Sequence, residues 1–305
     1  MNNSQDVSAP KLFQPLRLRG VEFASRAWAS PMCQYSADEG LVSQWHLVHL
    51  GAFATGGLGL VMTEATAVST EGRITVACTG IWNEKHVAGW KPIVEFVHSM
   101  STPIGIQLSH AGRKGSTLRP WDSHMIAAVE EGGWETQGPS AIAYSDFPLP
   151  REMTVADIDK VINDYRDSAI RAVEAGFDLV ELHAAHGYLI HQFLSPLSNQ
   201  RTDMYGGSFE NRIRLLIEIT EAVRGVIPAD MPLFVRLSAT DWVEGAWDLE
   251  ESIQLAKKLD PLGVDLIDVS SGGLVHDAQI SSFPGYQVEL AKQIRAQSGI
   301  RVSAV

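Results

Sequence analysis

Four side chains that can bind or transfer protons lie within nine residues near the middle of the chain: His183, His186, Tyr188 and His191. Two imidazoles three residues apart, just after a strand, can point at one atom and donate hydrogen bonds to an oxygen that gains negative charge. A tyrosine phenol keeps its proton at neutral pH and can act as a general acid. The cluster therefore indicates an anion-stabilising histidine pair beside a proton donor. The alternative is a packed loop with hydrogen-bonded structural histidines, the role we expect for His191.

A metal site is a second interpretation of the same residues. His183, His186 and Glu181 could hold a divalent ion, but the chain has no His-Glu-x-x-His helix and no obvious third ligand set. We therefore predict no metal. A metal-dependent barrel lyase or hydrolase that uses the histidine pair stays as the alternative enzyme, and a catalytically inactive barrel as a third possibility.

The elements that position these residues follow a repeating pattern. Seven apolar, strand-like segments alternate with helical patterns, at residues 27–32, 58–65, 103–109, 177–182, 233–238, 264–270 and 300–305. Strands that are apolar on both faces and alternate with helices predict a parallel sheet covered on both sides. Because no Gly-x-Gly-x-x-Gly turn follows the first strand, we predict an α/β fold of the TIM (β/α)8 barrel type rather than a doubly wound sheet.

The sequence also predicts what lies before, within and after this barrel. We expect a disordered tail at residues 1–10, a hairpin at 12–23 and a capping subdomain at 112–153, after the third strand. The whole chain, 1–305, is predicted to be a single domain. Since a complete barrel has eight strands, we expect the eighth βα unit to be absent and the C-terminal end to be truncated.

The ends of neighbouring strands add further candidates, because in a barrel all of them meet at one mouth. Arg236 lies inside an apolar strand and should face a polar ligand or an acid, since buried arginine is rare unless it is paired. Gln107 could contact the amide edge of a ligand, or it is a polar residue of a barrel layer. Cys33 is a nucleophile, a redox-tuning thiol or a small buried hydrophobe. Tyr35 is expected in the wall of the mouth.

Composition excludes several classes of function. The 305 residues are 45% hydrophobic and 20% charged, with a net charge of −12 and no basic run, which argues against nucleic acid or an anionic membrane as partner. No apolar stretch is long enough to span a membrane, and no signal segment is evident. With only two cysteines there is no disulfide framework, so we predict a cytoplasmic protein.

Four segments together carry a family likeness. They are SPMCQY at 30–35, HAGRK at 110–114, HAAHGY at 183–188, and SPLSNQRTDMYGGSFENR at 195–212. The chain resembles the Old Yellow Enzyme family of FMN-dependent ene-reductases, and its PMCQY context resembles the bacterial, xenobiotic reductase A-like branch. The resemblance runs from about residue 12 to the last residue.

This resemblance implies a function and a cofactor. FMN is held non-covalently in the barrel and is reduced by NADPH or NADH, which then leaves. An electron-poor alkene, such as an α,β-unsaturated carbonyl or nitro compound, takes hydride from the flavin at its β-carbon and a proton at its α-carbon. A homo-oligomer, either a dimer or a tetramer, is also implied, whereas the family's remaining phosphate contacts in the eighth βα unit have no counterpart.

The resemblance also implies a role for each matching residue. The residues expected to contact FMN are Ser30, Pro31, Met32, Cys33, Ala65, Gln107 and Arg236. Positive charge from Arg236 beside the pyrimidine edge would favour the reduced flavin. His183 and His186 would bind the substrate oxygen, Tyr35 would contact the substrate, and Tyr188 would protonate the α-carbon.

Overall fold

The computed structural model of the chain describes residues 10–305. The tail predicted at residues 1–10 therefore lies outside the described residues, except for Pro10. The strands are β1 (Leu16–Leu18), β2 (Val21–Phe23), β3 (Trp28–Ala29), β4 (Leu60–Ala67), β5 (Ile104–Ser109), β6 (Gln137–Gly138), β7 (Arg151–Glu152), β8 (Leu179–Ala184), β9 (Leu233–Ser238), β10 (Leu266–Ser270) and β11 (Val302–Ala304).

Helices separate most of these strands. The α-helices are α1 (Gln44–Thr55), α2 (Glu84–Ser99), α3 (Val155–Ala175), α4 (Leu189–Leu194), α5 (Phe209–Arg212), α6 (Arg214–Arg224), α7 (Leu249–Leu259) and α8 (Val288–Ser298). Short 3-10 helices lie at Lys11–Phe13, Gly112–Lys114, Val129–Glu131 and Asp260–Leu262. No helix in the described range, 10–305, is long and apolar enough to cross a membrane.

Seven of the strands form one parallel sheet whose spatial order, β3-β4-β5-β8-β9-β10-β11, is also their order in the chain. Each of the seven predicted segments overlaps one of these strands, and the segment 233–238 coincides with β9. Consecutive parallel strands joined by helices are the arrangement of a β/α barrel, so the predicted fold class is confirmed. The predicted hairpin is also present, as the antiparallel pair β1-β2.

Local sequence signals explain where the helices begin and end. Thr154 caps α3, because its side chain accepts a hydrogen bond from the backbone N–H of Asp157 while Asp157 bonds back to the Thr154 N–H. Gly176 ends the same helix with φ of +93°, a left-handed conformation that glycine adopts without strain. The cap at Gly176 therefore fixes where α3 ends and where the chain turns toward β8.

The inner face of the sheet changes from apolar to polar along the barrel axis. At the end where the strands begin, the side chains of Leu18, Phe23, Leu60, Met62, Leu179, Phe234 and Leu266 form one buried cluster that includes the β1-β2 hairpin. Further along the strands, the buried residues are Gln107, Glu181, Arg236 and Asp268. The polar chemistry therefore lies toward the carboxyl ends of the strands, where barrel enzymes place their sites.

Candidate active site

His183 is a neutral hydrogen-bond donor buried near the end of β8. It is 3% exposed, and burial lowers its pKa well below the usual value, with further lowering by the charges of His186 and Arg236. The backbone N–H of Ala185 donates to its Nδ1 at 3.3 Å. The proton of the neutral ring is therefore on Nε2, which can donate to a ligand oxygen.

His186 is held by three neighbouring elements. Its φ of +59° is in the left-handed region, which costs energy for a non-glycine residue. Its backbone N–H donates to Ser238 Oγ at 3.0 Å, its Nε2 lies 2.7 Å from Ser270 Oγ, and its carbonyl accepts from Lys114 Nζ at 2.9 Å. Burial, followed by the charges of Arg236 and Lys114, lowers its pKa well below the usual value, so this ring is also neutral.

The loops after β8 and β10 meet backbone to backbone beside this histidine pair. Gly187 and Gly273 both have positive φ, +73° and +92°. A Cβ atom on Gly187 would lie 2.3 Å from the carbonyl oxygen of Gly273. The close approach therefore requires glycine, and it fixes the position of the His183–Tyr188 loop.

Tyr188 stands between the histidine pair and an open cavity. Its ring centroid is 5.0 Å from that of His183, at a steep angle. Burial raises its pKa well above 10, so the hydroxyl is protonated at neutral pH, and it forms no hydrogen bond with any described residue. The cavity, of about 490 Å³, is lined by Tyr35, Ile74, Thr75, Lys114, Thr117, Leu118, Pro120, Met125, Ile126, Tyr144, Ser145, Asp146, Phe147, Tyr188 and His276. A small, largely apolar molecule in this space would meet the Tyr188 ring.

Cys33 and Tyr35 lie near Tyr188. Together with Tyr188 they pack against a buried cluster that contains Ala65 and Cys78. Burial raises the pKa of the Cys33 thiol, as does the nearby Cys78, and burial likewise raises the pKa of Tyr35. Cys33 is therefore a neutral thiol, which argues against a nucleophile and agrees with a packing or tuning role.

The loop that carries Cys33 is anchored by a buried carboxylate on β4. Glu64 accepts from the backbone N–H of Gln34 at 3.0 Å, and its other oxygen lies 3.2 Å from His46 Nε2. His46 Nδ1 in turn accepts from the N–H of Ser43 at the start of α1. His46 is buried and takes part in the cap of α1, and it ties this helix to the site loop.

A polar row crosses the barrel interior next to the histidine pair. Gln107 Nε2 donates to Glu181 Oε1 at 2.7 Å, and Arg236 Nε lies 3.4 Å from Asp268 Oδ2. Arg236 is 5% exposed, and its Nε has no hydrogen-bond partner among the described residues. Burial and the charge of Asp268 raise the pKa of Glu181 to about 8. The free donors of Arg236 and the free carbonyl of Gln107 are available to a ligand.

Of the remaining candidates from the sequence, two lie beside this polar row and one is turned toward solvent. Ser30 and Pro31 line a small cavity of about 90 Å³ together with Glu181 and Asp268. Met32, in contrast, has a side chain that is 45% exposed, so only its main chain could face the interior. The structure thus brings the candidates together with the exception of the Met32 side chain.

Several residues that shape the site were missed or left without a role by sequence reasoning. Lys114 and Ser270 both hold His186, and Glu64 holds the loop of Cys33. The available signal for Glu64 and Ser270 was their position within or at the end of an apolar strand, where polar residues are costly unless they are bonded. Lys114 lies beyond the end of β5 and gave no such signal. Glu181, considered only as a metal ligand, bonds Gln107 instead.

The metal interpretation finds no ligand set. Between residues 10 and 305, no group of three or more His, Cys, Asp or Glu side chains is arranged to hold an ion. His191, predicted to be structural, has its Nε2 2.9 Å from Asp241 Oδ1 and accepts from the Gly187 N–H through Nδ1. It is therefore committed to the scaffold and cannot complete a site with the other two histidines.

Comparison with known proteins agrees with this geometry. The family model described as the NADH:flavin oxidoreductase / NADH oxidase family matches residues 11–305. An NADH:flavin oxidoreductase of Gibberella zeae is 49% identical over 321 aligned positions, covering 99% of this chain and 78% of the relative. An NADPH dehydrogenase of Geobacillus sp. strain WCH70 is 47% identical over 297 positions, covering 96% of this chain and 82% of the relative.

A solved structure gives the same result for the fold. The old yellow enzyme homologue from Zymomonas mobilis superposes with a TM-score of 0.78 at 28% identity, covering 97% of this chain and 82% of that one. The names of the matching family and of the relatives refer to a flavin and to NADH or NADPH. The chain therefore belongs to the NADH:flavin oxidoreductase / NADH oxidase family, of the Old Yellow Enzyme type, and is an oxidoreductase that uses FMN and NAD(P)H.

Proposed function

We propose that this protein is an ene-reductase that reduces the carbon–carbon double bond of electron-poor alkenes, in particular α,β-unsaturated carbonyl and nitro compounds. The observation that carries the proposal is the neutral, buried pair His183 and His186 next to a protonated Tyr188 hydroxyl that no described residue engages. Such a pair suits an oxygen that gains negative charge, and such a phenol suits a carbon that needs a proton.

The polar row fits the cofactor. Arg236 offers buried donors without hydrogen-bond partners, and Gln107 offers a carbonyl and one N–H. These match an edge of alternating acceptors and donors, such as that of the flavin pyrimidine ring. We therefore assign FMN contacts to these two residues, and to Cys33, Ala65, Ser30, Pro31 and the main chain of Met32. When bound, FMN supplies the hydride that the β-carbon of the alkene receives.

Residues of the chain itself perform the remaining tasks. His183 Nε2 donates to the carbonyl or nitro oxygen, and His186 lies beside it, with ring centroids 5.2 Å apart. Withdrawing electrons toward that oxygen makes the β-carbon more electrophilic. Tyr188 then transfers its proton to the α-carbon, and Tyr35, which also lines the cavity, packs against the substrate.

The segment 112–153 serves as a capping subdomain over the substrate in this proposal. Side chains of this segment line much of the cavity of about 490 Å³, among them Lys114, Met125, Tyr144 and Phe147. Arg113 fastens the segment internally by donating to the carbonyl of Ile142 at 3.2 Å. The cap keeps bulk water away from the reacting carbons.

The test is anaerobic reduction of the holoenzyme by NADPH, followed by addition of cyclohex-2-enone. We expect the flavin absorbance to bleach with NADPH and to return with the enone, with cyclohexanone as the only organic product. A matched run with cyclohexanone in place of the enone should leave the flavin reduced. Bleaching without return on adding the enone would refute alkene reduction while leaving the family assignment intact.

We also propose that the protein assembles with itself as a dimer or tetramer, which rests on the family resemblance. Light scattering on the purified chain gives its mass relative to the 33.3 kDa of one copy. A mass of one copy at micromolar concentration would contradict this.

A further inference from the structure

Lys114 connects three of the loops at the mouth of the barrel. It follows β5, and its Nζ donates to the carbonyl of His186 after β8 and to that of Gly273 after β10, at 2.9 Å each. Its Nζ also lies 4.4 Å from the centroid of the Tyr144 ring and 5.2 Å from that of Tyr188. One ammonium group thus contacts the histidine loop, the proton donor and the capping segment.

The positive charge at this place is not neutralised by a carboxylate. In the described part of the chain, neither Lys114 nor its neighbour Arg113 forms an ion pair. The two terminal nitrogens of Arg113 donate to the backbone carbonyls of Ile142, Ala143 and Leu274. Burial lowers the pKa of Lys114 to about 8 and that of Arg113 to about 10. Both groups therefore remain cationic at neutral pH, inside a partly desolvated cleft where charges act strongly.

The field of this lysine reaches the histidine pair. The charge of Lys114 is among the causes that lower the pKa of His183 and of His186. A field that disfavours a second positive charge at a position favours a negative charge at the same position. An oxygen bound between the two imidazoles would therefore be stabilised as an anion.

We propose that Lys114 is a positioning and charge-stabilising residue: it holds His186 in its left-handed conformation and selects ligands whose bound oxygen is anionic. The inference rests on the proposed function, in which the histidine pair binds the ligand oxygen. The ligand class that it favours comprises phenolates and acceptors whose oxygen becomes negative on hydride addition. A neutral ketone would gain only the positional effect, through His186.

The test compares two ligands with the oxidised holoenzyme by absorbance titration. In Lys114→Met, we expect 4-nitrophenol to bind about tenfold or more weakly, and cyclohexanone to change by only about twofold, because only the phenolate is charged. Lys114→Arg, which keeps the charge, should restore most of the affinity for 4-nitrophenol. Lys292→Met, at a lysine whose side chain is 72% exposed, is the matched control and should leave both ligands unchanged.

Each outcome decides the inference. Equal weakening of both ligands would show a purely structural lysine, and unchanged binding of 4-nitrophenol would show no role at all; either overturns it. If Lys114→Met does not fold, Lys114→Gln, which keeps hydrogen-bond donors without charge, replaces it with the same expectations. If His183→Ala binds 4-nitrophenol as tightly as the parent protein, the proposed function fails instead, whatever Lys114 does.

Discussion

At the scale of single residues, the chemistry depends on which imidazole nitrogen carries a proton. Ala185 donates to His183 Nδ1, which leaves Nε2 as the donor, and Ser270 engages Nε2 of His186. The sequence predicted that the two histidines act together, because their spacing and their place after a strand are visible in it. The partners that set the tautomer and ring orientation were not predictable, since Ser270 comes from a strand 84 positions away.

Removing the His183 ring should weaken the binding of anionic oxygen ligands. A hydrogen bond to a charged group contributes about 1.5–3 kcal/mol, so His183→Ala should raise the dissociation constant of 4-nitrophenol about tenfold to a hundredfold. Titration of the flavin absorbance measures this. His98→Ala is the control, because the His98 side chain is 40% exposed at the end of α2 and does not line the cavity, so the constant should change little. An equal loss of affinity for 4-nitrophenol in the two variants would contradict a specific role of His183 in binding the oxygen.

At the scale of elements, the strands were predictable and the loops between them were not. A short, mostly apolar run such as 233–238 predicts a strand, because a parallel strand that is buried on both faces needs apolar side chains on both. The conformations of Tyr35 and His186, both with positive φ, depend on contacts from other elements and leave no signal in their own residue types. The same holds for Glu64, whose bonds to Gln34 and His46 became visible only when β3, β4 and α1 were placed together.

The buried Glu181 on β8 makes the stability of the apoprotein depend on pH. Its pKa is raised from 4.5 to about 8, so the folded chain retains a proton there that the unfolded chain releases. By proton linkage, the contribution of Glu181 to the free energy of unfolding is fully present below about pH 4.5 and is lost as the pH rises through 8.

Urea unfolding of the apoprotein between pH 5 and 8 measures the effect. Relative to Glu181→Gln, the parent protein should lose free energy of unfolding as the pH rises across this range, because the glutamine side chain does not titrate. The buried neutral His183 and His186 contribute to both profiles alike, so the difference between the two profiles isolates Glu181. Glu289→Gln, at a glutamate whose side chain is 60% exposed, is the control and should follow the parent. Parallel profiles for the Glu181 variant and the parent would contradict a raised pKa in the folded state.

At the scale of the whole molecule, the sheet order places the candidate residues side by side. Ala65, Gln107, Glu181, Arg236 and Asp268 lie on five consecutive strands, although about 200 positions separate the first from the last. Ala65, Gln107 and Glu181 are paired in register, and so are Arg236 and Asp268, whereas the partner of Arg236 on β8 is His183, two residues beyond Glu181. Alternation of strands and helices in the sequence was sufficient to predict that their ends converge. It could not predict which polar groups bond each other, such as Gln107 with Glu181, and which stay free for a ligand.

The unpartnered polar groups imply that FMN stabilises the folded molecule as a whole. FMN at a hundred times its dissociation constant should raise the free energy of unfolding by about 2.7 kcal/mol, because it binds only the folded state. Thermal unfolding of the apoprotein with increasing FMN measures this, and adenosine monophosphate, which lacks the flavin ring, should give no comparable rise. Equal shifts with the two nucleotides would show that the ring is not recognised.

In the mechanism that we propose, Tyr188 delivers a proton to the alkene after the nicotinamide has left, and rapid-mixing kinetics of Tyr188→Phe tests this step most directly. We expect reduction of the flavin by NADPH to keep its rate, while reoxidation of the reduced enzyme by cyclohex-2-enone slows about a hundredfold or more, because a general acid is lost. Equal slowing of the two half-reactions, or an unchanged rate of reoxidation, would contradict it.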